Sequence, residues 1–273
     1  MLYYRYIFHT DPALSETLLA WLSELPFEGF EEAPDAVSGF LPGNTDRSAL
    51  EADLLEIASR LPFSYSVEVI QPENWNAVWE QNFQPVQVGN FCGIRAEFHP
   101  AFDEVGHELV IQPKMAFGTG HHETTFMMVE YMESLDFRGK RVFDYGCGTG
   151  ILAILAAKLG ANRIDAVDIE AAACENAHEN AVRNGVSFSV YRGTIADVPA
   201  AVYDVVLANI NRNVILDSLS ALHQKIASGG DLLISGILGS DQEIVYQAAL
   251  AQGFQWISQK ARGNWIAANL RRR

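Results

Sequence analysis

Hydrophobic positions follow one rhythm up to about residue 70 and a different one beyond it. Leu2–Phe8 is rich in aromatic and β-branched residues, which predicts a strand. Asp11-Pro12 then opens a helix, because Asp11 offers an oxygen to the first free N–H groups and Pro12 suits the first helical position. Leu14, Leu18, Leu22 and Leu25 recur at helical spacing. Phe27 to Leu41 alternates apolar residues between glycine and proline breaks, which fits two short strands. A second helix follows Thr45-Asp46 with Leu50, Leu54, Ile57 and Leu61 in register, and Phe63–Ile70 reads as a last strand. The order β-α-β-β-α-β is the ferredoxin-like split motif, expected over residues 1–70.

Gln71-Pro72 interrupts this pattern, and Trp75, Val78, Trp79 and Asn82 then fall at helical spacing. Residues 71–85 are therefore expected to form a linker helix. From residue 86 to 273 the rhythm is that of a second, larger domain. Short strands are expected at Phe91–Phe98 and Glu108–Gln112, then a series at Arg141–Tyr145, Ile164–Val167, Phe188–Arg192, Val205–Ala208 and Leu232–Ser235, separated by helical stretches. Apolar runs of this kind imply a mostly parallel sheet covered on both faces. Phe254–Lys260 and Trp265–Leu270 read as an antiparallel hairpin. The expected fold class is α/β, a Rossmann-like sheet preceded by a small ferredoxin-like α+β domain.

Composition narrows the class. The chain has 273 residues, 49% hydrophobic and 19% charged, enough to bury a sizeable core. It carries no apolar run of membrane-spanning length, and its start lacks a signal-peptide pattern. Three cysteines, Cys92, Cys147 and Cys174, are too scattered for a disulfide framework or a zinc cluster, so a reducing cytoplasm is the expected location. The net charge is −15, which disfavours direct nucleic-acid binding. Residues 1–70 hold 12 acidic and 3 basic residues. That is either a solvated acidic surface or a docking face for a basic macromolecule.

Candidate chemistry centres on Asp144-Tyr145-Gly146-Cys147-Gly148-Thr149-Gly150, where a strand runs into three alternate glycines and a helix. Glycines allow a tight turn and close approach of a ligand. Ile151 stands where the dinucleotide fingerprint needs its last glycine, which weakens an NAD-dependent oxidoreductase. The next strand ends in Asp168, 22 residues beyond Gly146, where a carboxylate accepts the hydroxyl hydrogens of a ribose. The constellation resembles class I S-adenosylmethionine-dependent methyltransferases. That resemblance implies Asp144 in the first motif and Gly146, Gly148 and Gly150 around the methionine and ribose of S-adenosylmethionine. Relatives that methylate planar nitrogens carry Asn-Pro-Pro-Tyr at the end of the fourth strand. Here Asn209-Ile210-Asn211 lacks the prolines and the ring, which points to an aliphatic amine.

The loop Met115-Ala116-Phe117-Gly118-Thr119-Gly120-His121-His122-Glu123-Thr124-Thr125 is more specific. With the glycine motif, Ala208-Asn209-Ile210 and the linker Asn74-Trp75 to Trp79, it is similar to the PrmA family, the bacterial methyltransferases of large-subunit ribosomal protein eleven. The resemblance covers nearly the whole chain. It implies cofactor contacts from Thr125, Gly146, Asp168 and Asn209, and a loop of Phe117, Gly118 and Thr119 closing over the reactive methyl. Catalytic roles are thus expected of Asn209, Phe117 and Thr119, and His122 matches the family histidine. Lys114, His121 and Glu123 depart from the family pattern without touching the cofactor positions. The implied substrate is a basic ribosomal protein methylated on lysine side chains and on the N-terminal amine, recognised by the acidic first domain. His121-His122-Glu123 is not read as a metal site, since adjacent residues point apart and no second ligand group is spaced to help. Two alternatives remain at this point: a methyltransferase of a small amine metabolite, and a non-catalytic cofactor-binding assembly protein. The sequence gives no oligomeric state.

Overall fold

The computed structural model describes residues 3–33, 36–70, 84–112 and 120–273. The chain divides into two compact units, Met1–Asn82 and Phe83–Arg273. The expected linker helix with Trp75 and Trp79, and the loop residues Lys114 to Thr119, lie outside the described residues.

In the first unit, β1 (Tyr3–Thr10) is followed by a 3-10 turn at Pro12–Leu14 and α1 (Ser15–Leu22). Then come β2 (Gly29–Ala33), β3 (Ala36–Pro42), α2 (Arg47–Ala58) and β4 (Phe63–Ile70). The strand order β2-β3-β1-β4, antiparallel throughout, is the ferredoxin-like one. Asp11 caps as expected, accepting from the Ala13 N–H at 2.9 Å, but the turn it starts is 3-10 and α1 proper begins three residues later. The helix also stops at Leu22, so Leu25 packs against the core from outside it. Tyr6 and Phe8 of β1 meet Leu18, Leu22, Leu50 and Leu54 in a separate hydrophobic core. Truncating any of these leucines to alanine would cost about 2–5 kcal/mol.

The second unit holds two sheets. The smaller has β5 (Val86–Val88), β6 (Cys92–Arg95) and β7 (His107–Val110), with β6 and β7 parallel. β6 is shorter than the sequence predicts because Arg95 ends it. Its guanidinium is held by Glu108 at 2.7 Å and donates to the Ala96 and His99 carbonyls beyond the strand.

The larger sheet follows α3 (Glu123–Glu133). Its elements in order are β8 (Arg141–Tyr145), α4 (Ile151–Lys158), β9 (Arg163–Asp168), α5 (Ala171–Arg183), β10 (Ser189–Arg192) and β11 (Tyr203–Asn209). They continue as α6 (Arg212–Lys225), β12 (Ile226–Leu238), α7 (Gln242–Ala251), β13 (Phe254–Arg262) and β14 (Trp265–Arg272). The strand order is β10-β9-β8-β11-β12-β14-β13. The first five strands run parallel, and β14 is antiparallel to both its neighbours. Both faces are covered by apolar cores, one containing Met127, Ile154 and Leu207, the other Phe143, Val206 and Leu219. Between β8 and β11 the chain order reverses, and in open α/β sheets ligands bind at such a switch point, beyond the carboxyl ends of the strands.

Candidate functional site

A cavity of about 550 Å3 opens there, lined among others by Gly146, Gly148, Asp168, Asn209, Gly236 and Trp265. That volume lies within the range of small-molecule sites.

The floor is the turn after β8. Gly146, Gly148 and Gly150 have φ of 75°, 53° and 78°, a region costly for any residue with a Cβ. Gly146 and Cys147 both donate to the Val167 carbonyl, at 2.8 and 3.0 Å, which binds the turn to β9. A Cβ on Gly146 would strike the Ile210 side chain. One on Gly150 would lie 3.0 Å from the Ala177 Cβ. Gly146 therefore shapes the cavity directly, whereas Gly150 lets α5 pack close behind it. Asp144 is buried below the turn and accepts from the Ala153 N–H at 3.0 Å, capping the first turn of α4. Burial, reinforced by the neighbouring Asp168 charge, pushes its carboxyl up to about 7. Its place is behind the wall, where it holds the turn against the helix. Burial likewise pushes the Cys147 thiol well above its ordinary range, so it stays neutral.

Asp168 stands at the end of β9 and does reach the cavity. Its Oδ2 accepts from the Gly148 N–H at 2.9 Å and its Oδ1 from the Glu170 N–H at 3.1 Å. Each oxygen keeps a further lone pair, so a diol in the cavity meets two fixed acceptors. Ile169 follows it, 67% exposed on the cavity rim.

Asn209 ends β11 opposite the glycine turn. Its Nδ2 donates to Thr125 Oγ1 at 3.1 Å, and its Oδ1 is buried with no hydrogen-bond partner among the described residues. Thr125 is fully buried on α3 and orients the amide from behind. Asn211 caps α6 by accepting from the Val214 N–H at 3.1 Å. Gly236, at φ 85°, sits in a bulge of β12 where a Cβ would collide with the Ile210 backbone. Two glycines thus leave room for the segment that carries Asn209.

His122 begins α3, with Nδ1 accepting from the Thr124 N–H at 3.3 Å. Its ring lies edge-on to Trp265 at 4.9 Å on the cavity wall. Glu123 occupies the first turn of the helix, the position its charge favours. Of the expected site residues, Gly146, Gly148, Asp168 and Asn209 converge on one cavity. Thr125, Asp144 and Gly150 support its wall. Phe117, Gly118 and Thr119 lie outside the described residues. Sequence reasoning missed Ile169, Gly236 and Trp265. An apolar residue directly after the strand-end acid was a readable signal for Ile169. Trp265 reaches the cavity only through the order of the last strands, which no local pattern reveals.

The residues fit a cationic nucleoside cofactor on three counts: a glycine turn with no room for a Cβ beside Ile210, a carboxylate for its sugar, and an orphaned acceptor for an N–H donor. Comparison with known proteins agrees. The sequence profile of the ribosomal protein L11 methyltransferases (PrmA) matches residues 22–273. A protein of that name from Porphyromonas gingivalis is 40% identical over 262 residues, 92% of this chain and 89% of the relative. One from Pseudomonas aeruginosa is 38% identical over 234 residues, 84% of this chain and 78% of the relative. The crystal structure of a ribosomal protein L11 methylase from Lactobacillus delbrueckii subsp. bulgaricus matches with a TM-score of 0.63 at 27% identity, covering 70% of this chain and all of that one. By the extent of these matches, the chain belongs to the PrmA family of S-adenosylmethionine-dependent ribosomal protein L11 methyltransferases.

Proposed function

We propose that this protein transfers methyl groups from S-adenosylmethionine to amino groups of ribosomal protein L11, on lysine side chains and at the N-terminal amine, with residues 1–70 recognising that substrate. The observation that carries the reading is the convergence of the Gly146 turn, Asp168 and Asn209 on one cavity at the switch point of the sheet, with Asn209 Oδ1 buried and unpartnered among the described residues. Asp168 would take the ribose hydroxyls, and Gly146 and Gly148 the methionine end. Bound there, the cofactor would supply an electrophilic methyl group, its sulfonium sulfur departing as a neutral thioether that needs no protonation.

What the chain must do is deliver a neutral amine in line with that methyl, at about 3 Å. A free lysine has a pKa near 10.4, so fewer than about one in a thousand is neutral at pH 7. Moving its ammonium into the cavity, beside a positive charge and away from water, lowers that pKa. Asn209 Oδ1 then serves as the fixed acceptor that orients an N–H, with Thr125 holding the amide plane. The Phe117 to Thr119 segment is assigned to the exclusion of water over the methyl. A ribosomal protein substrate supports a cytoplasmic location.

The test is transfer of labelled methyl to purified L11, located by mass spectrometry, for the full chain and for a form lacking residues 1–70. The second unit has its own cores, so the shortened form is expected to bind cofactor and to lose L11 methylation. Undiminished L11 methylation would overturn the role given to the first unit. Absence of any transfer by the full chain would overturn the function.

A further inference from the structure

Helix α5 carries Asn176 and Asn180, both fully buried, and is capped at its C-terminus by Asn184, the three at successive four-residue intervals. Their amides face the outer edge of β7 and its continuation. Asn184 clasps both backbone groups of Val110, accepting its N–H at 2.9 Å and donating to its carbonyl at 2.7 Å. Two residues on, Asn180 Oδ1 accepts the Gln112 N–H at 2.9 Å and Asn176 Nδ2 donates to the Gln112 carbonyl at 3.0 Å. The match is a matter of pitch. Four residues of helix rise about 6 Å, and two residues of strand about 6.6 Å. An asparagine every fourth position therefore meets every second residue of a neighbouring strand and imitates a missing strand partner.

Asn180 does more than protect an edge. Its Nδ2 donates to Asn176 Oδ1 at 3.2 Å and also to the Thr149 carbonyl, at 3.0 Å, inside the glycine turn. One buried amide thus holds the cofactor turn with its nitrogen and Gln112 with its oxygen. In sequence Gln112 is followed by residues 113–119, which include the Phe117 to Thr119 segment assigned above to excluding water over the methyl. We infer that Asn180 is a positioning residue for methyl transfer, setting the spacing between the cofactor turn and the chain that enters the 113–119 segment. The inference rests on the function proposed above.

The test compares Asn180→Asp with Asn184→Asp. In Asn180→Asp one oxygen still accepts from Gln112, but a carboxylate oxygen now faces the Thr149 carbonyl in place of a donor. Asn184→Asp damages the Val110 clasp and the bond its amide donates to the Asn180 backbone carbonyl at 2.8 Å, and leaves the side-chain contacts of Asn180 to Thr149 and Gln112 in place. Thermal unfolding, S-adenosylmethionine affinity by calorimetry, and kcat and KM for L11 are measured for both and for the unaltered protein. The expected result is a similar thermal shift in the two variants. Asn180→Asp alone weakens cofactor binding about tenfold and lowers kcat at an unchanged KM for L11. Equal kcat and cofactor affinity in the two variants would overturn the assignment.

Should Asn180→Asp fail to fold, hydrogen exchange of the unaltered protein decides. Adding S-adenosylhomocysteine should slow exchange of the Gln112 amide together with those of the glycine turn. Slowing confined to the turn refutes the linkage. An unaltered protein that neither binds the cofactor nor methylates L11 refutes the underlying function instead, so the two failures are distinct.

Discussion

Replacing Asn209 with alanine sets the stability of the protein and its activity against each other. Among the described residues the free amide makes one hydrogen bond, to Thr125, and buries one acceptor with nothing to accept. Losing the bond costs about 1 kcal/mol, while removing a buried unsatisfied acceptor returns about 1–3 kcal/mol. The variant is therefore expected to melt at the same temperature as the parent or a few degrees higher. With ligands bound the sign reverses, because the same Oδ1 then accepts from the amine as it takes on positive charge in the transition state, a bond of about 1.5–3 kcal/mol. At about 1.4 kcal/mol per factor of ten, that is about a ten- to hundredfold loss. Differential scanning calorimetry gives the first quantity and steady-state turnover of L11 at saturating cofactor the second. A variant that melts lower yet turns over normally would show Asn209 to be an ordinary strand-end residue, and the site argument built on it would fail.

Other consequences follow from neighbouring residues. Because burial raises the Asp144 carboxyl to about 7, the folded state keeps a proton that the unfolded chain loses near pH 4. This residue's contribution is full below that pH and is lost as pH rises through 7, by up to about 4 kcal/mol. Thermal unfolding between pH 4 and 8 should show that loss in the parent and much less of it in Asp144→Asn, whose oxygen still caps Ala153; parallel curves would contradict the assignment. Gly146→Ala should abolish measurable cofactor binding by calorimetry, whereas Gly139→Ala, at φ 70° with open space around its Cβ position, should lose only the backbone term of about 1–2 kcal/mol in stability. If the acidic first unit draws in a basic substrate, kcat/KM for L11 should fall steeply between low and moderate salt, with cofactor affinity much less affected; a flat salt response argues for recognition by shape alone.

The larger domain was legible where side-chain periodicity and turn chemistry coincide. Three alternate glycines between an apolar strand and an apolar helix leave few conformations open, and Asp168 follows at the spacing one helix and one strand require. Ends of elements were less legible. The sequence predicts Leu232–Ser235, while β12 runs from Ile226 to Leu238, because Gly229, Gly230 and Gly236 look like breaks and turn out to sit in irregular pairings of one long strand. The asparagines of α5 were invisible for a different reason. A polar residue at helical spacing reads as solvent-facing, and only a neighbouring strand edge with unpaired backbone groups makes burying it favourable. Trp265 belongs to the same class, since its place at the cavity depends on strand order.

That order has a consequence for how the protein is made. β14 follows β13 in the chain, yet it lies inside the sheet, between β12 and β13. While it is still within the ribosome, β12 has a bare edge and β13 has no neighbour at all, a state prone to wrong pairing. The two-residue turn at Gly263-Asn264 resolves this by letting the closing strands form as a hairpin and dock together. The same docking event carries Trp265 to His122, so the ligand chamber gains its far side only once β14 has docked.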